Sequence, residues 1–240
     1  ELRRDNCVVV GLGYVGLTLA LTLAQSGRKV FGFETDKKKL DNLKMANSYI
    51  AEPGIDNLLS NNLDVSFFPI ENLEKIDRTS GVRNFYFVCI GTPLDEDKNA
   101  NLEYINFFIE SVMEFLSDGD AIVMRSTVPV GTGRLIISTI EKAKNWRVGI
   151  NFHYIAAPER TVEGDAIKEI HDLPQIIGGA TNPCLAKGIS IFQSICKSFS
   201  PVTSIETAEL TKIAGNAFRD YVFGFSNYLS LICQEFNIDT

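Results

Sequence analysis

The chain has 240 residues, 45% hydrophobic and 22% charged, which is the composition of a folded globular protein and excludes a disordered or fibrous one. A net charge of −7, with no basic cluster beyond Lys37-Lys38-Lys39, excludes nucleic acid as the main partner. An anionic ligand must then be met by helix ends and a few placed cations.

The first predicted strand, 6–11, is Asn6-Cys-Val-Val-Val-Gly11, and it flows into Gly11-x-Gly13-x-x-Gly16 and a predicted helix over 14–26. A dinucleotide pyrophosphate needs that order of strand, glycines and helix. Gly11 makes the tight turn, Gly13 lets the backbone approach the phosphates, and Gly16 lets the helix pack close to the strand; Tyr14 and Val15 lie between them in the same binding turn. The second strand, 29–34, ends in Glu34, where such folds bind the adenosine ribose hydroxyls. A carboxylate there repels a 2′-phosphate, so the cofactor read from these residues is NAD, not NADP. The same segment has a rival reading. Arg3 and Arg4 before the apolar stretch from Cys7 to Ala24 resemble a secretory signal, but three glycines interrupt the stretch and no small-residue cleavage site follows.

Further strands are predicted at 64–68, 84–90, 120–124, 151–156 and 174–178, and helices at 36–46, 54–61, 102–117, 131–144 and 182–197. Strands alternating with helices predict an α/β fold: a Rossmann-like, doubly wound, mainly parallel sheet. From Ser204 a helical pattern runs without interruption to about Asn237, a long C-terminal helix with Glu206, Glu209, Lys212, Asn216 and Arg219 near its start. Residues 1–203 therefore read as a cofactor-binding domain and 204–240 as the start of a connecting or dimerisation helix. The polar loop from Asp95 to Asn101 is a candidate rim over a site. Five widely spaced cysteines in apolar contexts and only two histidines argue for a reduced, cytoplasmic protein without a metal site. The chain lacks an initial Met and closes on no recognisable element, which reads as a piece of a longer protein.

Ligands bind outside the carboxyl ends of the strands in such sheets. Those ends carry Cys89-Ile-Gly-Thr-Pro-Leu94, Arg125-Ser-Thr-Val-Pro-Val-Gly-Thr132 and Ala156-Ala-Pro-Glu-Arg160. Together with the first glycine motif, Glu52-Pro-Gly-Ile and Glu209-Leu-Thr-Lys-Ile-Ala-Gly-Asn216, this ordered set resembles the UDP-glucose/GDP-mannose dehydrogenase family. The tract from Ala157-Pro-Glu-Arg-Thr-Val-Glu-Gly-Asp165 through Leu173-Pro-Gln-Ile-Ile-Gly-Gly179 is more similar to members that oxidise UDP-N-acetylhexosamines, such as UDP-N-acetylmannosamine, than to UDP-glucose enzymes. The latter usually carry Pro-Glu-Phe-Leu where this chain has Pro158-Glu-Arg-Thr161.

The resemblance implies an NAD-dependent double oxidation of a sugar C6 alcohol to a carboxylate, through a thiohemiacetal and a thioester on a cysteine. It implies Lys212 and Asn216 as oxyanion stabilisers, Glu159 as the residue that orients or deprotonates the hydrolytic water, and Thr127 as a holder of that water or of the nicotinamide. Arg160 and Arg219, with Glu159, Lys212 and Asn216, become the expected substrate contacts. Gly91, Thr92, Pro93, Ser126 and Thr127 join the cofactor contacts, and Lys39 flanks the adenosine. Each has a plainer reading: Lys212 on a solvated helix face, Glu159 paired with Arg160 or Lys168, Arg160 in a surface pair, and Lys39 one of three solvated lysines. Glu52 is expected to shape the site. The family's thiol and its sugar-nucleotide-binding domain lie beyond residue 240, and none of the five cysteines sits in the electropositive niche that a thiolate needs. The expected partners are a UDP-sugar and a second copy through the long helix, with no membrane and no nucleic acid. Two alternatives remain: a beta-hydroxyacid dehydrogenase, which shares the first domain and a Lys/Asn pair at i, i+4, and a noncatalytic NAD-binding or dimerisation module.

Overall fold

The computed structural model describes residues 5–79 and 81–239, so Arg3 and Arg4 of the signal-like reading lie outside the described residues. Eight strands form one sheet: β1 Asn6–Val10, β2 Val30–Phe33, β3 Phe67–Ile70, β4 Asn84–Val88, β5 Ala121–Met124, β6 His153–Ala156, β7 Gln175–Gly179 and β8 Phe199–Val202. Their spatial order is β3-β2-β1-β4-β5-β6-β7-β8, and every neighbouring pair is parallel except β6 with β7. The helices are α1 Tyr14–Gln25, α2 Lys37–Lys44, α3 Ile55–Asn62, α4 Glu103–Met113, α5 Thr132–Lys144, α6 Ala166–Asp172, α7 Asn182–Phe192 and α8 Ile205–Glu235.

All five residues of β1 are buried, because helices cover both faces of the sheet. Cys7 and Val9 enter a core with the apolar residues of α1, α3 and α7, whereas Val8 and Val10 enter another with those of α4, α5 and the first turn of α8. The threonines inside α1 cause no polar deficit: Thr18 and Thr22 donate back to the carbonyls of Tyr14 and Thr18, at 2.9 and 2.8 Å.

The third strand begins three residues later than the predicted 64–68. Asp64, at φ +57°, makes a left-handed turn whose N–H pairs with the Phe67 carbonyl, so pairing with β2 starts only at Phe67. Two of these strands and α-helices were not anticipated. Helix α6 is too short for a periodic pattern, and β8 carries Pro201 in a strand paired only with β7, a place that tolerates the missing N–H. The predicted helix 182–197 stops at Phe192. The long helix is present and, at 31 residues, spans about 46 Å.

The strand order reverses between β1 and β4, and the chain leaves the sheet there at Gly11 and at Cys89. That crevice is where an open α/β sheet receives its ligand.

Candidate cofactor and substrate site

The glycine turn is built as a cradle. Gly11 has φ +83°, and a Cβ on it would lie 3.0 Å from the Cys89 carbonyl oxygen. A Cβ on Gly16 would fall 1.8 Å from the Gly11 carbonyl oxygen, so only glycine lets α1 begin this close to its own turn. Gly13 differs: a Cβ there would meet nothing within 4 Å. No side chain caps α1 and its first turn holds no acidic residue, which leaves backbone N–H groups and the positive helix end facing that open side. These are the features that a pyrophosphate requires.

Glu34, 8% exposed, stands beside the cradle. It accepts hydrogen bonds from Leu12 N at 3.0 Å, Thr35 N at 2.9 Å and Asp36 N at 3.1 Å, and Lys39 Nζ lies 3.5 Å from Oε2. Lys39 is therefore paired with the carboxylate, unlike a freely solvated lysine. Both residues line a cavity of about 320 Å³ together with Gly11, Gly13 and Gly91. Its other wall is α4, through Tyr104, Phe107, Phe108 and Ser111, which the sequence reading did not single out. A signal was available: α4 buries Ile105, Phe108, Ile109 and Val112, yet Tyr104 and Phe107 add aromatic surface outside that stripe.

The next strand-end loops are tied to each other. Thr92 Oγ1 donates to the Thr127 carbonyl at 2.7 Å, and Ser126 Oγ donates to the Ile90 carbonyl at 2.6 Å. Thr92, Pro93, Ser126 and Thr127 lie outside the cavity lining, as do Tyr14, Val15 and Gly16.

Glu159 is buried, and both of its oxygens are engaged. Oε1 accepts from Arg160 N at 2.6 Å and Thr161 N at 2.9 Å, and Oε2 accepts from Arg125 Nη2. Its ionic partner is thus Arg125, not the Arg160 or Lys168 of the plainer reading. Arg125 is 2% exposed and also donates through Nη1 to the Ala157 carbonyl at 2.8 Å and to Gln175 Oε1 at 2.7 Å. Burial alone would raise the Glu159 pKa, but the Arg125 guanidinium and the two backbone donors hold it below the ordinary value. The Arg160 side chain donates to the Pro174 carbonyl at 3.4 Å.

On α8, Lys212 and Asn216 are half-buried and Arg219 is exposed. Burial lowers the Lys212 pKa; Glu159 opposes the shift, while Arg219, Arg125 and Arg160 add to it. Lys212 therefore shares one electrostatic neighbourhood with the loop after β6. Glu209 does not face that neighbourhood. It accepts from Gly131 N at 2.7 Å and Gly133 N at 2.8 Å, capping α5 and docking the start of α8. Burial pushes the thiols of Cys7 and Cys89 up to about 12 and that of Cys196 to about 11, so none of these three is a thiolate near neutral pH. Among the described residues no group of three or more His, Cys, Asp or Glu could hold a metal ion, and no helix is long and apolar enough to cross a membrane.

Comparison with known proteins bears on this geometry. Residues 5–196 match the model of the UDP-glucose/GDP-mannose dehydrogenase family, NAD binding domain. The chain is 29% identical over 233 residues to a UDP-N-acetyl-D-mannosamine dehydrogenase of Pyrococcus horikoshii, covering 96% of this chain and 54% of that protein. It is 32% identical over 235 residues to the UDP-glucose 6-dehydrogenase TuaD of Bacillus subtilis, covering 96% and 49%. The solved structure of the UDP-D-ManNAc dehydrogenase from Pyrococcus horikoshii superposes with a TM-score of 0.91 at 28% identity, over 97% of this chain and 55% of that one. The chain spans about half the length of the curated relatives it matches.

Proposed function

The chain belongs to the UDP-glucose/GDP-mannose dehydrogenase family, and on that premise we propose that it is the NAD-binding part of a cytoplasmic nucleotide-sugar 6-dehydrogenase acting on a UDP-N-acetylhexosamine. The observation that carries the proposal is the cradle at Gly11–Gly16 with the buried Glu34 beside it: an anion site and a ribose-binding carboxylate at the switch point of the sheet. Gly13, Glu34, Lys39 and the α4 aromatics would hold the adenosine end of NAD, which when bound supplies a hydride acceptor.

The residues of the chain divide the remaining work. Lys212 supplies an ammonium and Asn216 an amide donor from one face of α8, suited to stabilising an oxyanion at the sugar C6. Glu159 is fully engaged and held ionised, so we assign it to electrostatic support of Lys212 and orientation of water through its loop, in preference to proton abstraction. Thr127 and Arg160, on the same side, remain the proposed contacts to water or nicotinamide and to sugar, and Arg219 a further substrate contact. The UDP-N-acetylhexosamine preference rests on Pro158-Glu-Arg-Thr161 and on the relatives named above; one of those, at 32% identity, is a UDP-glucose enzyme. The thiol nucleophile and the sugar-nucleotide-binding domain we place outside these 240 residues, consistent with the raised thiols here and with the half-length coverage of relatives. The exposed aromatics of α8, among them Phe218, Tyr221, Phe225 and Tyr228, fit a seam with a second copy.

Calorimetry with NAD+ and NADP+ tests the first part; NAD+ binds and NADP+ binds at least about tenfold more weakly. Equal affinities would sink the role given to Glu34. The full-length protein, assayed in parallel on UDP-N-acetylmannosamine, UDP-N-acetylglucosamine and UDP-glucose, tests the rest. Turnover on UDP-glucose alone removes the substrate assignment, and steady NADH formation by the 240-residue chain removes the assignment of the thiol.

A further inference from the structure

Glu52 sits in a turn, yet its hydrogen bonds leave that turn. The residue is 7% exposed, and its carboxylate gathers donors from two distant segments. Tyr14, inside the glycine motif, donates its hydroxyl to Oε2. Gly164 N approaches both Tyr14 Oη, at 2.7 Å, and Glu52 Oε2, at 2.9 Å, and Ile167 N donates to Oε1 at 3.1 Å. One buried carboxylate thus bolts the cradle at the start of α1 to the loop that follows Glu159 and Arg160, and to the first turn of α6.

A residue that merely closes its own turn would satisfy itself within a few positions, as Asp36 does by capping α2 through Lys38 N and Lys39 N. Glu52 instead reaches 38 residues back to Tyr14 and more than 100 forward, with separations of 112 to Gly164 and 115 to Ile167. A buried carboxylate is tolerated when its acceptor sites are filled, so losing one donor loosens the others. Desolvation, and then the bond to Glu52, push the Tyr14 hydroxyl up to about 12, which keeps it a donor throughout the physiological range.

We propose that Glu52 and Tyr14 are positioning residues that link cofactor seating to the order of the loop 160–167. The inference rests on the reading above, in which Gly11–Gly16 is the cofactor side and the loop after β6 the sugar side. Amide hydrogen exchange on the 240-residue chain tests it. In Glu52→Gln one acceptor becomes a donor that faces N–H groups, and Tyr14→Phe removes the hydroxyl while keeping the ring. In either variant the amides of Gly164 and Ile167 exchange at least about tenfold faster than in the unaltered chain, while those of β4 do not change. Saturating NAD+ slows these two amides in the unaltered chain and not in Glu52→Gln.

Unchanged exchange at Gly164 and Ile167 in both variants overturns the strut. Faster exchange without any slowing by bound NAD+ in the unaltered chain overturns the link to the cofactor. If Glu52→Gln does not fold, Tyr14→Phe decides both points. If NAD+ does not bind, the functional reading fails instead, and exchange in the free chain still judges the strut. In the full-length enzyme, Glu52→Gln raises KM for the sugar nucleotide about tenfold with kcat within about twofold. A fall in kcat at constant KM would count against a positioning role.

Discussion

The two ends of the crevice are finished to different degrees. At the proposed adenosine end, β1, β2 and α4 enclose a cavity, and the charged groups on it, Glu34 and Lys39, are already partnered. At the end we propose as the reacting one, Lys212 and Asn216 are half-buried and Arg219 is exposed, on a helix whose buried residues are confined to Ile205, Ala208 and Glu209. The contrast teaches which function the chain carries in itself. The enclosed cavity is built from contacts within the first 111 residues, whereas the site we propose for the chemistry is only scaffolded, by a buried Arg125–Glu159 pair and a docked first turn of α8.

The largest effect expected from a single change sharpens this contrast at the adenosine end. In Gly16→Ala a methyl group would meet the Gly11 carbonyl oxygen at 1.8 Å, and backbone cannot give way there without opening the turn. The variant should lose about 5 kcal/mol or more, enough to unfold a marginal domain, as read by urea denaturation. Normal stability would mean that the close start of α1 is not what requires glycine.

At the reacting end the corresponding strike is Arg125→Met. It leaves the Glu159 carboxylate buried without its cation and should cost about 3–5 kcal/mol. The pH dependence follows from the lowered Glu159 pKa. Such a carboxylate contributes stability that is present above its unfolded pKa and is lost as pH falls through the folded one. In the variant this acid-side loss diminishes, because protonation then relieves the unpaired charge. An unchanged acid limb in urea titrations would show that the pair does not govern the ionisation of Glu159.

Gly13→Ala separates binding from folding. Its Cβ enters space that no protein atom within 4 Å occupies, at a backbone conformation, φ −65°, that alanine adopts. Thermal stability should stay within about 0.5 kcal/mol of the parent, while NAD+ affinity falls at least about tenfold because the pyrophosphate is denied its approach. Undiminished affinity would place the phosphates elsewhere.

The legibility of the molecule follows the same divide. The glycine turn and Glu34 could be read because their chemistry is local: a few residues in a row dictate the turn, and a strand end dictates the carboxylate. What escaped depends on distant partners. Arg125 was taken as part of a loop motif, because a sequence does not show that Ala157, Glu159 and Gln175 converge on one guanidinium. Glu209 was grouped with Lys212 by helical spacing, although its carboxylate turns to the N–H groups of α5. Strand β8 was hidden because Phe-Ser-Pro-Val neither alternates nor forms a β-branched run, and pairing with β7 makes it a strand.

The smallest effects test how the two ends are joined, at the first turn of α8, where two carboxylates titrate in opposite senses. Glu206 is partly exposed and pairs with the exposed Arg134 at 2.6 Å; that bond lowers its pKa to about 2. Its contribution is therefore present above the unfolded pKa and fades as pH falls toward 2. Glu209 is buried, and desolvation raises its pKa above the ordinary value despite the two glycine donors. Its contribution is full below the unfolded pKa and is lost as pH rises through the folded one. Glu206→Gln should cost about 0.5 kcal/mol or less at pH 7, since an exposed pair is weak, and the difference from the parent should vanish toward pH 2. Glu209→Gln resembles the protonated acid that the parent holds at low pH, with one carbonyl acceptor for the two glycine N–H groups, so it costs about 1 kcal/mol or less there. Relative to the parent it recovers as pH rises, because the amide never ionises. Urea midpoints of the three proteins between pH 3 and pH 8 should thus diverge in opposite directions. Parallel curves for the two variants would mean that the exposed pair and the buried cap are not distinct devices, and that α8 is docked by Ile205 and Ala208 alone.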